Sequence, residues 1–572
     1  MKKIFLIILI LMITSAIFIN EYIGKPKGKS VINLAIDNPV KSFDPAIAFN
    51  NDSLFVIGQS LETLYQYHYL KRPFEVIPLL ADGMPEISTD GLKYTFKIKQ
   101  NVKYHNGDNV FKSERFVKAQ DFVNQIKRLA FRPLKSTGNW LFAGKLKGFN
   151  SFTKTVGNDF SKFLSEDIEG LKAIDDLTFE IELNEPEPNL LYFLAMPFTT
   201  PVPIELLNKY KNSLSEVLVG TGPYEFVKRG DQKYIFKKFK HYHSEFYPSS
   251  GDRYANTENL LSSSKKKLPF IDFINFHIVQ KEDVKWEMFK TGDLDILDVP
   301  RRWLPELSKQ NSNLNKEFKK LNIDIKHFSR QTTRWFGFNM NDVVMKNINI
   351  RKAIAHAINY EKYIELITNN TSLKANSMFN PSIPGYKPSH SLGYSYDPVK
   401  AKKFLELSGY KPRELKIVYS TRGKQEIHYE EAEFIQSYLN EIGINVEIQT
   451  LSFSEFLKKG RGGKLQFWTD NWIYDYPDAE NILQLLISKN HPGINKSGYS
   501  NPRVDALYNK LTKTLNKEKR FNIMYEIETI VSKELPWIML LYESTYIAHH
   551  RSIKNFRKSF FIRNYVKYLQ KD

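Results

Sequence analysis

From Leu465 to Ser488 the chain runs for 24 residues without a Lys or Arg, although it carries 82 basic and 63 acidic residues overall. Within that stretch lies Phe467-Trp468-Thr469-Asp470-Asn471-Trp472-Ile473-Tyr474-Asp475-Tyr476-Pro477-Asp478. Carboxylates set among large aromatics suit an ammonium ligand. The acid supplies the counter-charge, and the rings supply apolar area, cation–π attraction and exclusion of water. The plainer reading of the same residues is a strand ending in a Pro-containing turn, with its aromatics in a core and its Asp side chains in solvent.

Other chemistry finds little support. The absence of cysteine removes disulfides, thiolate metal sites, Cys nucleophiles and the Cys-linked lipid anchor together. There is no Walker-type Gly-rich loop, no His-Glu-x-x-His helix and no Gly-x-Ser-x-Gly elbow. The 12 histidines are scattered. His241 and His243, one apart on a strand, would face the same side and could ligate a metal, but no third ligand accompanies them. No cofactor is called for, and nothing demands an enzyme.

The elements that must position these residues are mixed. Strand-like runs occur at Val31 to Ile36, Lys93 to Lys99, Thr178 to Leu183, Tyr234 to Phe239, Phe270 to Val279, Leu415 to Ser420 and Val446 to Thr450. Several alternate with period two, as in Tyr94, Phe96 and Ile98, which predicts one buried face. Helices lie between them. Asp397-Pro398 reads as an N-cap followed by Pro at the first helical position, with Gly409 beyond the far end, and Asn501-Pro502 repeats the device. At 572 residues the chain exceeds one ordinary core.

Met1-Lys2-Lys3 and the apolar run from Ile4 to Ile19 form a positive n-region and an h-region, which predicts export. Thr14-Ser15-Ala16 is a candidate cleavage site, and an uncleaved anchor is the alternative, although the run is shorter than about twenty residues. Lys25, Lys27 and Lys29 begin a short polar linker. The net charge of +19 is spread along the chain rather than clustered, which indicates a generally basic surface and no nucleic-acid partner.

Several motifs, taken in order, are more specific than any one. Ser42-Phe43-Asp44-Pro45 and Asp90-Gly91-Leu92-Lys93-Tyr94 are followed by Tyr104-His105-Asn106-Gly107, Gly220-Thr221-Gly222-Pro223-Tyr224 and Phe289-Lys290-Thr291-Gly292-Asp293-Leu294-Asp295. The series continues with Arg351-Lys352-Ala353-Ile354, Tyr396-Asp397-Pro398-Val399-Lys400-Ala401-Lys402, Tyr499-Ser500-Asn501-Pro502 and Pro536-Trp537-Ile538. Together they resemble, from about residue 31 to 550, the family 5 solute-binding proteins, the oligopeptide- and dipeptide-binding components of ABC importers.

That resemblance implies an α/β, periplasmic-binding-protein-like fold of the class II type, with three lobes around a hinged ligand cleft. The implied parts are a signal peptide or uncleaved anchor at 1–20, a linker at 21–30, a discontinuous first lobe of 31–62, 190–288 and 541–572, a second of 63–189 and a third of 289–540. In peptide-binding members an Asp three residues after a Trp accepts the ligand's α-ammonium, and Trp472-Ile473-Tyr474-Asp475 fits. The resemblance therefore implies Asp475 as anchor, beside Trp472 and Tyr476, with Asp470 and Asp478 facing solvent. Arg422, with Lys424 behind it, is the candidate for the ligand carboxylate. Thr469 stands where oligopeptide binders can carry an Arg. Trp335 and Trp303 are candidates for lining side-chain pockets, although each also suits a core.

The expected protein is a monomer that binds peptides without catalysis and hands them to membrane permease subunits served by a cytoplasmic ATPase. It is periplasmic or at the cell surface. The alternatives are another cargo on the same fold, such as a nickel chelate, haem, murein peptide or sugar, a membrane-tethered sensor or chaperone-like protein, or a hydrolase.

Overall fold

The computed structural model describes residues 28–106, 109–230, 232–308, 313–388 and 393–572. The expected signal or anchor segment, and most of the linker, lie outside these residues. Among the described residues no helix is long and apolar enough to cross a membrane.

The chain opens a four-stranded sheet in which Val31–Ile36 runs parallel to Phe273–Ile278, which pairs antiparallel with Lys233–Lys238 and through it with Tyr224–Arg229. Period-two burial of Tyr234 and Phe236, and of Ile274 and Phe276, faces a core that Ile562, Tyr565, Val566 and Leu569 complete from the C-terminus. A second four-stranded sheet orders Glu86–Ile87, Lys93–Lys97, Thr178–Glu182 and Leu171–Ala173. Tyr94, Phe96 and Ile98 are all buried in its core, as their alternation predicts. Leu190, Phe193, Leu194, Val202 and Leu207 pack into this second core rather than against the first sheet.

The third region is built on a seven-stranded sheet. Its spine is two long antiparallel strands, Ile323–Phe338 and Trp537–His550, paired from Ile323 opposite His550 to Gly337 opposite Trp537. Phe328 and Ile547 belong to the core of the first sheet, whereas Phe336, Phe338 and Ile538 belong to that of the third region. One continuous ribbon therefore links two hydrophobic cores. The helix starts are as the sequence predicts: Asp397 accepts from Lys400 N at 2.9 Å, and Asn501 accepts from Arg503 N at 2.9 Å. Buried Arg351 donates to the carbonyls of Glu534 at 2.6 Å and Leu535 at 2.9 Å, satisfying acceptors at the end of the helix Lys517–Glu534.

The crossings between the first two regions are tightly joined. Gly222 N donates to Ser60 O at 2.8 Å, and a Cβ on Gly220 would stand 2.2 Å from that same oxygen, so only glycine fits. His243 is committed here, its Nε2 lying 2.9 Å from Glu62 Oε2, while His241 is exposed. The two histidines do not form a metal pair, and no metal-holding group of His, Cys, Asp or Glu occurs among the described residues.

Candidate functional site

Phe467–Ile473 is the strand that carries the charge-free stretch into the site. One edge pairs antiparallel with Ile323–Phe338, from Phe467 opposite Phe338 to Ile473 opposite Thr332. Tyr474 N extends this pairing by donating to Gln331 O at 3.0 Å. Phe467 locks the strand's start, with its ring 5.3 Å from that of Phe338 and nearly parallel to it. On the other edge the parallel strand Lys416–Ser420 reaches only Phe467 and Trp468. Among the described residues, no strand covers that edge beyond Trp468.

The three Asp residues of the stretch meet different fates. Asp470 is buried at 5% exposure, with Lys496 Nζ 2.5 Å and Arg422 Nε 3.4 Å from its carboxylate. Asp478 is half-buried and paired with Arg520 at 2.6 Å. Neither faces solvent freely, contrary to expectation. Their cations come from outside the stretch, where a local reading does not look.

Asp475 forms no ion pair among the described residues. Its side chain faces open space, yet protein crowds it closely enough that burial raises its carboxyl above the usual carboxylate range, opposed by the hydrogen bond from Asn481. Asn481, itself fully buried, organises the site. Its Nδ2 donates to Asp475 Oδ2 at 3.2 Å, while its Oδ1 accepts from Asp475 N at 3.0 Å and from Trp472 Nε1 at 2.8 Å. One amide thus sets both the anchor and the adjacent indole.

Tyr67, from the segment leading into the second region, lies within electrostatic reach of this carboxylate. Its phenol is pushed well above the usual value by burial first, then by Tyr192 and by the charge of Asp475. The Tyr67 hydroxyl is buried without a hydrogen-bond partner in the described protein, and its ring lies 5.5 Å from that of Phe561. Neither Tyr67 nor Asn481 was picked out from sequence. A polar residue six positions beyond the expected anchor was the available signal for Asn481, and Tyr67 had none.

Other expected residues are placed differently. Tyr476 is 1% exposed and belongs to the core of the second region, with its ring 5.4 Å from Phe193 and 6.2 Å from Trp140. Its hydroxyl donates to Glu480. It therefore ties the Asp475 turn to the second region by packing and does not face a ligand. Arg422 is held by Asp470 and lies 5.2 Å over the Phe453 ring, so its charge is already neutralised. Trp335 is buried and stacks on Trp537 at 4.4 Å. With Trp468, Trp472, Asp470 and Lys496 these two indoles also line a cavity of about 90 Å³ beside the strand. Trp303 stacks on Trp286 at 5.0 Å in a separate cluster, away from Asp475 and its neighbours.

This arrangement offers a carboxylate without an ion pair among the described residues, an oriented indole and a strand edge that no described strand pairs beyond Trp468, groups that can bind a ligand by charge and main-chain hydrogen bonds. The model of the bacterial extracellular solute-binding proteins, family 5 Middle, matches residues 75–493. The Dipeptide-binding protein DppE of Bacillus subtilis is 25% identical over 545 residues, covering 93% of this chain and 90% of its own. Heme-binding protein A of Haemophilus influenzae is 25% identical over 529 residues, covering 90% and 88%. Among solved structures, HbpA2 from Haemophilus parasuis aligns with a TM-score of 0.77 at 22% identity, over 95% of this chain and all of that one, which establishes the periplasmic-binding-protein-like fold. The family match spans well over half the chain and brackets Asp475, and the protein belongs to family 5 of the bacterial extracellular solute-binding proteins.

Proposed function

We propose that this chain is the extracytoplasmic binding component of an ABC importer, and that it captures peptides by their α-ammonium at Asp475. The observation that carries this reading is the contrast in charge pairing: Asp470 and Asp478 have cations, and Asp475 has none among the described residues. An ammonium at contact distance gains roughly 4 kcal/mol of gross Coulomb attraction at an effective dielectric near 20, before desolvation is subtracted. Trp472 flanks the ammonium, and the strand edge left without a strand partner beyond Trp468 pairs with the peptide backbone. Peptide-binding relatives support this reading.

Three lobes close over the ligand, with bounds of 31–62, about 220–288 and 541–572 for the first, 63 to about 219 for the second and 289–540 for the third. The packing of Leu190, Phe193 and Leu207 into the second core supports assigning 190–219 to the second lobe instead of the first. The protein works as a monomer without catalysis, exported or tethered by its N-terminus, and delivers its ligand to permease subunits driven by a cytoplasmic ATPase.

Calorimetric titration with a tripeptide and its N-acetylated form tests the anchor. Acetylation removes the charge and is expected to cost at least ~100-fold in affinity. Equal binding of the two forms rejects it. A haem cargo is the second reading, favoured by a haem-binding relative as similar in identity as the dipeptide-binding one. Native mass spectrometry of freshly purified protein, read with visible absorption, separates the two cargoes.

A further inference from the structure

A cavity of about 300 Å³ lies between the end of the first strand, the segment Ile296–Arg301 and the C-terminal stretch around Lys558. Four cations line it. Two are neutralised, Lys285 by Asp37 and Arg301 by Glu430 at 2.8 Å. The other two, Arg330 and Lys558, form no ion pair among the described residues, although two carboxylates, Glu282 and Asp298, also line the space and Asp298 attracts Lys558. Rings hold both heads in place. The Arg330 guanidinium sits 5.0 Å over Phe560, and the Lys558 ammonium lies 5.6 Å from the Phe55 ring and 5.3 Å from that of Tyr565. Cation–π contact positions the Arg330 guanidinium without using its N–H donors, whereas the Lys558 ammonium also donates to the Tyr565 hydroxyl and keeps its other N–H groups for an anion.

A hydrogen-bonded link runs from the wall of this cavity to the turn that carries the anchor. Gln331, next to Arg330, accepts from Tyr474 N at 3.0 Å through its carbonyl and from Phe560 N at 3.2 Å through its side chain. One residue thus joins the turn carrying Asp475 to both residues of the Arg330–Phe560 pair. We infer that Arg330 and Lys558 form an anion subsite that takes a carboxylate of the bound solute, giving the protein a preference for acidic peptides. This inference rests on the ammonium anchor at Asp475 and adds to it the class of side chain accepted.

Calorimetry with tripeptides carrying Glu or Gln in turn at each position, with inorganic phosphate as competitor, tests it. At one position the Glu peptide is expected to bind ~10-fold more tightly than its Gln counterpart. That ratio should fall to about one in the Arg330→Gln/Lys558→Met double variant and persist in Lys558→Arg, with thermal melting confirming that each variant is folded. A Glu/Gln ratio near one at all three positions in the unmodified protein overturns the inference, as does a ratio that survives in the double variant. Phosphate binding that is lost in the double variant, without any Glu preference, assigns the cavity to free anions and also overturns it. Failure of the anchor reads differently, as unchanged affinity of every peptide in Asp475→Asn.

Discussion

Asp470 and Asp475 stand five residues apart in the same charge-free stretch, yet one is consumed by the fold and the other is left over. Asp470 sits on the strand, is buried, and is clamped between Arg422 and Lys496. Asp475 sits just past the strand, accepts one neutral hydrogen bond from Asn481, and has no cation partner among the described residues. A carboxylate balanced by two cations has no net attraction left for a ligand. One held by an amide keeps its charge and gains only orientation. The lack of local Lys and Arg did not by itself single out the anchor, because cations from distant segments reached two of the three acids.

The largest expected effect breaks the structural member of the pair. Asp470→Ala leaves Arg422 and Lys496 facing each other in a mostly buried site, and should destabilise the protein by about 3 kcal/mol, read as a fall in melting temperature. Asp475→Asn should shift the melting temperature little, while peptide affinity falls at least ~100-fold, about 2.7 kcal/mol, by calorimetry. If the two variants show the same phenotype, the contrast fails.

Acidification sharpens the comparison. The raised carboxyl of Asp475 takes up a proton at higher pH than an ordinary Asp, and the neutral acid no longer attracts an ammonium. Peptide affinity should therefore fall on acidification before the ordinary Asp range is reached, and this dependence should vanish in Asp475→Asn. The sign for stability is opposite to that of a salt-bridged acid. A carboxyl whose folded pKa is raised lowers stability above its unfolded pKa, and that cost disappears as pH falls below it. The smallest effect is expected of Asn481→Ala, which frees Asp475 and the Trp472 indole together. It should cost about 1 kcal/mol in binding, with a smaller loss of melting temperature.

Much of the scaffold was legible from local pattern. Alternation at Tyr94, Phe96 and Ile98 marked a strand with one buried face, and Asp397-Pro398 and Asn501-Pro502 marked helix starts whose caps form as expected. Such features depend on residues within a few positions of one another. The ordered motifs indicated the family, which the match over residues 75–493 bears out. The long ribbon of Ile323–Phe338 and Trp537–His550 was not read, because its two strands lie some two hundred residues apart and pair only in the folded chain.

By itself, then, the sequence determined the α/β class, the caps, the family and the short segment in which the anchor is proposed. Tertiary structure alone decided how each acid of that segment is balanced, that Tyr476 packs into the second core, and that Asn481 holds Asp475 with Tyr67 within electrostatic reach. The reason is physical: Coulomb pairing and burial follow distance in space. The cations that neutralise Asp470 and Asp478 are Arg422, Lys496 and Arg520, each at least 26 residues away along the chain.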